Sequence, residues 1–166
     1  MPDAIELLVR GMLIGAGGAA FMDAWGLFAR RAFGITGLDY ALLGRWIGHF
    51  AKGRFFHERI ASAEKIPGER PLGWLAHYSI GFAFAILLLL IWGLDWAHAP
   101  SIWPTMAVGI GTIVAPWLVM QPAMGAGIAA SKTPNPGAAR LRNFATHAVY
   151  GLGLYVSALA LTAVWG

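Results

Sequence analysis

Residues 72–94 read LGWLAHYSIGFAFAILLLLIWGL. A helix crosses the hydrocarbon core of a bilayer with about 20 mostly apolar residues. This stretch, with AILLLLIW at its heart, has that length and contains no acid, lysine or arginine. Three further stretches qualify: residues 7–28, closed by Arg30 and Arg31; residues 102–123, running on toward 130; and residues 141–165. The third contains Pro116 and Pro122. Each removes a backbone donor and is expected to kink the helix, which a membrane helix tolerates when its neighbours satisfy the freed carbonyls.

Composition agrees with four spans. Of the 166 residues 58% are hydrophobic and only 12% charged, with a mean hydropathy of +0.62. Soluble domains carry about 25% charged residues, so much of this surface must meet something other than water. The 22 glycines suit close helix contacts and the 8 tryptophans suit membrane interfaces. So apolar a chain is not disordered. Without cysteine it has neither disulfides nor thiolate metal ligands. The start, MPDAIELLVRG, lacks the basic beginning and short apolar core of a cleavable signal, so the first span is expected to be retained.

The charges sort by side. Arg30, Arg31, Arg45, Lys52, Arg54, Arg59, Lys65 and Arg70 lie between the first two spans, and Lys132, Arg140 and Arg142 between the last two or at their edge. The connection LDWAHAPS and the C-terminus have no lysine or arginine. The positive-inside bias makes the basic side cytoplasmic and places both termini outside, as an even number of spans requires. Topology thus accounts for the basic pI, and nucleic-acid binding loses its main support. In the cytoplasmic loop, about residues 32–69, Leu42, Leu43, Trp46, Ile47 and Phe50 recur at helical spacing, with Arg45, His49 and Lys52 on another face. That pattern predicts an amphipathic helix lying at the inner membrane surface.

A pattern occurs twice: RPLGWLAHYSIG at 70–81 and RLRNFATHAVYG at 140–151 share Arg, six residues, His, three residues, Gly. A weaker echo sets Gly11 twelve residues before Asp23 and Gly109 twelve before Gln121. Together they suggest two tandem helical hairpins with approximate two-fold symmetry along the membrane normal. At a rise of about 1.5 Å per residue, His77, His147 and Asp23 each lie about 10 Å inward from Arg70, Arg140 and Arg30, with Gln121 about one turn deeper. One polar side chain per span is therefore expected at a similar level.

An acid in hydrocarbon is unfavourable by about 3 kcal/mol on insertion scales, so Asp23 needs a partner or a water-filled cavity, and His77 is the natural candidate. The plain reading of Asp23, His77, Gln121 and His147 is polar contact between helices. The sharper one is a binding or proton-relay site, with Arg70, Arg142 and Asn143 at its cytoplasmic mouth. Helix-end arginines also simply snorkel to the interface. A third reading is a haem b ligated by His77 and His147, against which Asp23 stands at the same level. A divalent metal on Asp23, His77 and His147 is conceivable, although neither metal nor cofactor is expected. His49, His57 and His98 are expected to be solvated in loops. Pro116, Pro122, Gly125 and Gly127 are candidate hinges, and SKTPNPGAAR reads as a tight connection through its Pro-Asn-Pro-Gly turn. Ser79 and Ser157 sit in no nucleophile motif, so no enzyme activity is expected.

MQPAMGAGIAASKTPNP followed by RLRNFATHAVYGLGLY, with the earlier GAGGAAFMDAW, resembles a family of small bacterial inner-membrane proteins known only as a domain of unknown function. The resemblance covers nearly the whole chain. It implies a four-span protein of a bacterial inner membrane and brings no activity, cofactor or catalytic residue. The expected fold is an all-α integral membrane protein, one membrane domain over residues 1–166, with four transmembrane helices as two tandem hairpins and an interfacial helix. The expected role is to bind or pass a small solute or proton, as a homo-oligomer in the lipid bilayer. The competing role is an accessory subunit of a larger membrane complex.

Overall fold

The computed structural model describes residues 3–35, 37 and 39–165. Among these every regular element is helical: α1 Asp3–Phe33, α2 Tyr40–Gly48, α3 Glu69–His98, α4 Ile102–Gly111, α5 Gln121–Ala123 and α6 Pro136–Trp165, with short helical turns between some of them. Among the described residues four helices are long and apolar enough to cross a membrane: Asp3–Phe33, Glu69–His98, Ile102–Ala123 and Pro136–Trp165.

The ends differ from expectation for local reasons. α1 takes in Asp3 and Glu6 in its first turn and Arg30 and Arg31 in its last, each charge complementing the helix dipole. α3 runs on to His98 past Gly93, whose φ of +78° interrupts it at a value glycine adopts without steric penalty. α6 starts at Pro136 rather than near 141. Asn135 Oδ1 accepts the Ala138 N–H at 3.1 Å, and Pro136 occupies a first-turn position where no donor is missed. The Pro-Asn-Pro-Gly turn is therefore a helix start.

The prolines of the third span act as expected. Regular helix stops at Gly111, since Pro116 has no N–H to offer the Thr112 carbonyl. Pro116–Met120 then forms a π-helical turn, in which the Gln121 N–H reaches back to the Pro116 carbonyl. The helix ends at Ala123, short of 130. Beyond it the chain folds on itself: Ala126 N–H donates to Gln121 O (2.8 Å) and Lys132 N–H to Ala126 O (2.9 Å), with Gly125 and Gly127 at φ of +91° and +75°.

The chain forms two compact units. The first comprises Met1–Thr36, Tyr78–Thr112 and Ala145–Gly166, and its core holds Ile14, Leu88, Leu89, Val108 and Leu154. Glycines set its helix contacts. A Cβ on Gly15 of α1 would stand 2.7 Å from the Gly81 carbonyl of α3, and one on Gly153 of α6 3.1 Å from Gly18 Cα of α1. A Cβ on Gly109 of α4 would stand 2.5 Å from Gly151 Cα of α6. Gly81 and Gly151 are the glycines of the repeated pattern. Each lies in backbone contact with a glycine of the span preceding its own. The two copies also touch, through the Tyr150 hydroxyl donating to Gly81 O at 2.7 Å.

The second unit comprises Gly37–His77 and Ile113–Phe144. α2 stands where the pattern placed it, capped by Asp39, which accepts the Ala41 N–H. It packs on the start of α3 through another glycine pair: a Cβ on Gly44 would stand 2.6 Å from Gly73 N. Of its expected polar face Lys52 is exposed, but Arg45 and His49 are not. Arg45 is 4% exposed and His49 1%, because both find partners within the segment 49–69.

A side chain forced into a packed contact destabilises by about 1–3 kcal/mol. Gly15→Ala and Gly109→Ala should therefore lower the thermal midpoint in detergent. Gly26→Ala, where a Cβ meets nothing within 4 Å, should hold or raise it, by up to about 1 kcal/mol of helix propensity.

Candidate functional site

In the first unit, Asp23 lies two-thirds of the way along α1, and its Oδ2 accepts the hydroxyl of Tyr78 of α3 at 3.1 Å. His147 of α6 places Nδ1 3.0 Å from the Gly109 carbonyl and 3.3 Å from Thr112 Oγ1. A carbonyl only accepts, so Nδ1 carries the proton of the neutral imidazole and Nε2 keeps the lone pair. Gly109 thus serves twice: its missing side chain admits α6, and its carbonyl orients His147.

Another polar group of this unit went unread in the sequence. Arg10, the one Lys or Arg that does not lie between the first two spans or between the last two, is 2% exposed. Its Nε lies 2.7 Å from Glu6 Oε1, and its guanidinium carbon lies 5.0 Å from the centre of the Trp165 ring. Glu6 also meets His98 Nε2 at 2.8 Å. The i, i+4 spacing of Glu6 and Arg10 was the available signal. His98, expected in a loop, is the last residue of α3; it is exposed and held by Glu6.

In the second unit, His77 is 7% exposed. Its ring stacks on Tyr40, the first residue of α2, with centroids 4.4 Å apart, and Nε2 lies 3.2 Å from the Tyr40 hydroxyl. Haem ligation through this nitrogen would have to displace Tyr40. Among the described residues no three His, Asp or Glu side chains are grouped as a metal site requires. Gln121 is half-buried, and its Oε1 is buried without a hydrogen-bond partner among the described residues; the same holds for Trp117 Nε1. Of the expected mouth residues, Arg70 and Arg142 are exposed and Asn143 is half-buried. Gly125 is pressed against the Glu58 carbonyl, and Pro122 closes the turn by accepting the Gly125 N–H at 3.1 Å.

The segment between α2 and α3 is organised around Arg45. Its fork meets Glu69 with Nε and Nη2 at 2.8 Å each, and Nη1 donates to the carbonyls of Ile60, Ala61 and Ala63 at 3.1–3.3 Å. The bonds to Glu69 hold the Arg45 guanidinium above its usual pKa against the burial.

His49 and His57, expected to be solvated, instead stack with Nδ1 and Nε2 2.7 Å apart. His49 Nε2 must donate to the Glu64 carbonyl at 3.0 Å. His49 Nδ1 therefore accepts from His57 Nε2–H when both rings are neutral. Burial first, and then His49, pushes the His57 imidazole below its usual pKa. Backbone bonds from His57 N–H to Ala123 O (2.8 Å) and from Ile60 N–H to Met124 O (3.1 Å) tie this segment to the end of the third span. An open cleft of about 520 Å³ lies there, lined by His57, Glu58, Pro122, Gly125 and Lys132.

A family model described as a protein of unknown function, DUF2938, matches residues 12–161. No curated protein and no solved structure matches the chain.

Removing one partner of a buried ion pair costs about 3–5 kcal/mol, so Arg45→Met should destabilise the protein by about that much and expose residues 54–68 to limited proteolysis. Adding Glu69→Leu should recover only part of the loss, since the carbonyls of Ile60, Ala61 and Ala63 remain without their donor.

Proposed function

The chain belongs to the DUF2938 family, whose function is unknown, and from its own residues we propose that it is a multi-pass membrane protein that binds or passes a small solute or a proton. Asp23, His77, Gln121 and His147 are its polar groups, one on each span. The observation that carries this reading is Asp23, an acid well inside a span, whose Oδ2 takes the Tyr78 hydroxyl. A carboxyl in hydrocarbon is a functional candidate by default. The hydroxyl beside it can give and receive a proton, so the pair suits transient protonation.

The test uses purified protein in vesicles carrying a pH gradient. Wild-type vesicles should dissipate the gradient faster than empty ones, and Asp23→Asn should return the rate to that of empty vesicles. Equal rates for wild-type and empty vesicles would overturn the proton reading and favour an accessory subunit with structural polar contacts.

The proposed setting is a bacterial inner membrane, with α2 on the cytoplasmic side, both termini outside and the chain assembled as a homo-oligomer or within a larger complex. The charge distribution supports the orientation. Because the chain has no cysteine, single substitutions report the sides directly. In intact cells an impermeant thiol reagent should label Ser101→Cys, whereas Ser62→Cys should react only after permeabilisation.

A further inference from the structure

We propose that the π-helical turn Pro116–Met120 and the residue after it form a binding site for a small neutral molecule carrying both a hydrogen-bond acceptor and a donor, of the amide, urea or polyol class. The proposal deepens the solute-binding reading above, on which it rests, by naming the class of solute.

Two atoms carry it. Trp117 Nε1 can only donate, and Gln121 Oε1 can only accept. Both are buried, and neither has a hydrogen-bond partner among the described residues. Buried polar side-chain atoms are nearly always paired, so two unpaired ones a single turn apart are an unusual conjunction. Four residues is close to one turn in an α-helix and in a π-turn alike, so the two side chains share a face. That face also holds Ile113, Met120 and Met124, of which Ile113 and Met124 are buried, with the exposed Val114 at its edge, while Leu118 and Val119 turn away from it and are exposed. The pair therefore lies on the protein-facing side of the span.

The backbone explains why the pair stands there. Pro116 and Pro122 bracket it, and Gln121 N–H closes a five-residue ring on the Pro116 carbonyl. Such π-bulges recur at functional sites. The chemistry selects the ligand. An indole N–H and a carboxamide oxygen bring no net charge, so an ion gains no compensation for its desolvation there. A neutral molecule that accepts from the indole and donates to the amide satisfies both. The two methionines of the same face supply adaptable apolar walls.

The test is saturation-transfer NMR on the intact protein in lipid nanodiscs, with acetamide and glycerol as probes and acetate as the charged control. Wild type should transfer saturation to acetamide or glycerol and not to acetate. Trp117→Phe and Gln121→Met should each abolish the transfer, with thermal midpoints held or raised because each removes an unpaired group. Absence of transfer in wild type, its survival in both variants, or equal transfer to acetate would overturn the site. Asp23→Asn, measured in parallel, separates the two readings. Probe binding without Asp23-dependent flux leaves this site standing and removes the proton path. Asp23-dependent flux without probe binding does the reverse.

Discussion

Contact between bare backbones at glycine is the constraint on which the rest of the helical arrangement depends. Lipid tails are as apolar as leucine, so helices in a bilayer gain little from hiding hydrophobic side chains from one another. They associate through close packing and polar contacts. Gly15 against Gly81, Gly18 against Gly153, and Gly109 against Gly151 bring α1, α3, α4 and α6 of the first unit within backbone reach. In the second, Gly44 against Gly73 does the same for α2 and α3. Where backbones are this close, a side chain of one helix reaches the backbone of another. His147 reaches the Gly109 carbonyl, and Tyr150 reaches the Gly81 carbonyl.

The same economy governs the segment between the first two spans. It has little core of its own, and Arg45 substitutes for one. A guanidinium has five donors in a rigid fork. Here they join a carboxylate at the start of α3 to three carbonyls of the turn Ile60–Ser62 and its edge. The charge is neutralised and its hydrogen bonds are directed, which is the condition for burying it. The arrangement also explains why an amphipathic helix presents its arginine and histidine inward. Apart from Glu69, their partners lie in the chain between α2 and α3, whose path the periodicity of α2 does not encode.

Much of the fold was legible. The four spans, the helix in the loop and the disturbance at Pro116 all follow from the sequence, and the misreadings lie at edges. Asn135-Pro136 was read as a turn although it is equally a helix cap. The run of glycine and alanine after Ala123 has apolar composition yet breaks into turns at positive φ. The candidate polar residues were legible as types. Their partners were not: Tyr40 and Tyr78 drew no attention beside the more ionisable histidines, and Arg10 went unread. Glycine was anticipated as a point of close helix contact, but not which helix each glycine would meet.

The sequence by itself determined that this chain has four long apolar helices, where they lie and which of their residues are polar. Length and hydropathy add up along the chain, so a local window suffices to read them. Only the tertiary structure decided that Tyr78 bonds Asp23 and that Tyr40 lies over His77. It also decided that Arg45 is buried and that Trp117 and Gln121 keep unpaired atoms. A hydrogen bond acts over about 3 Å and in one direction. The residues it joins here are separated by 55 positions in one case and 37 in another, a relation that no property of either neighbourhood encodes.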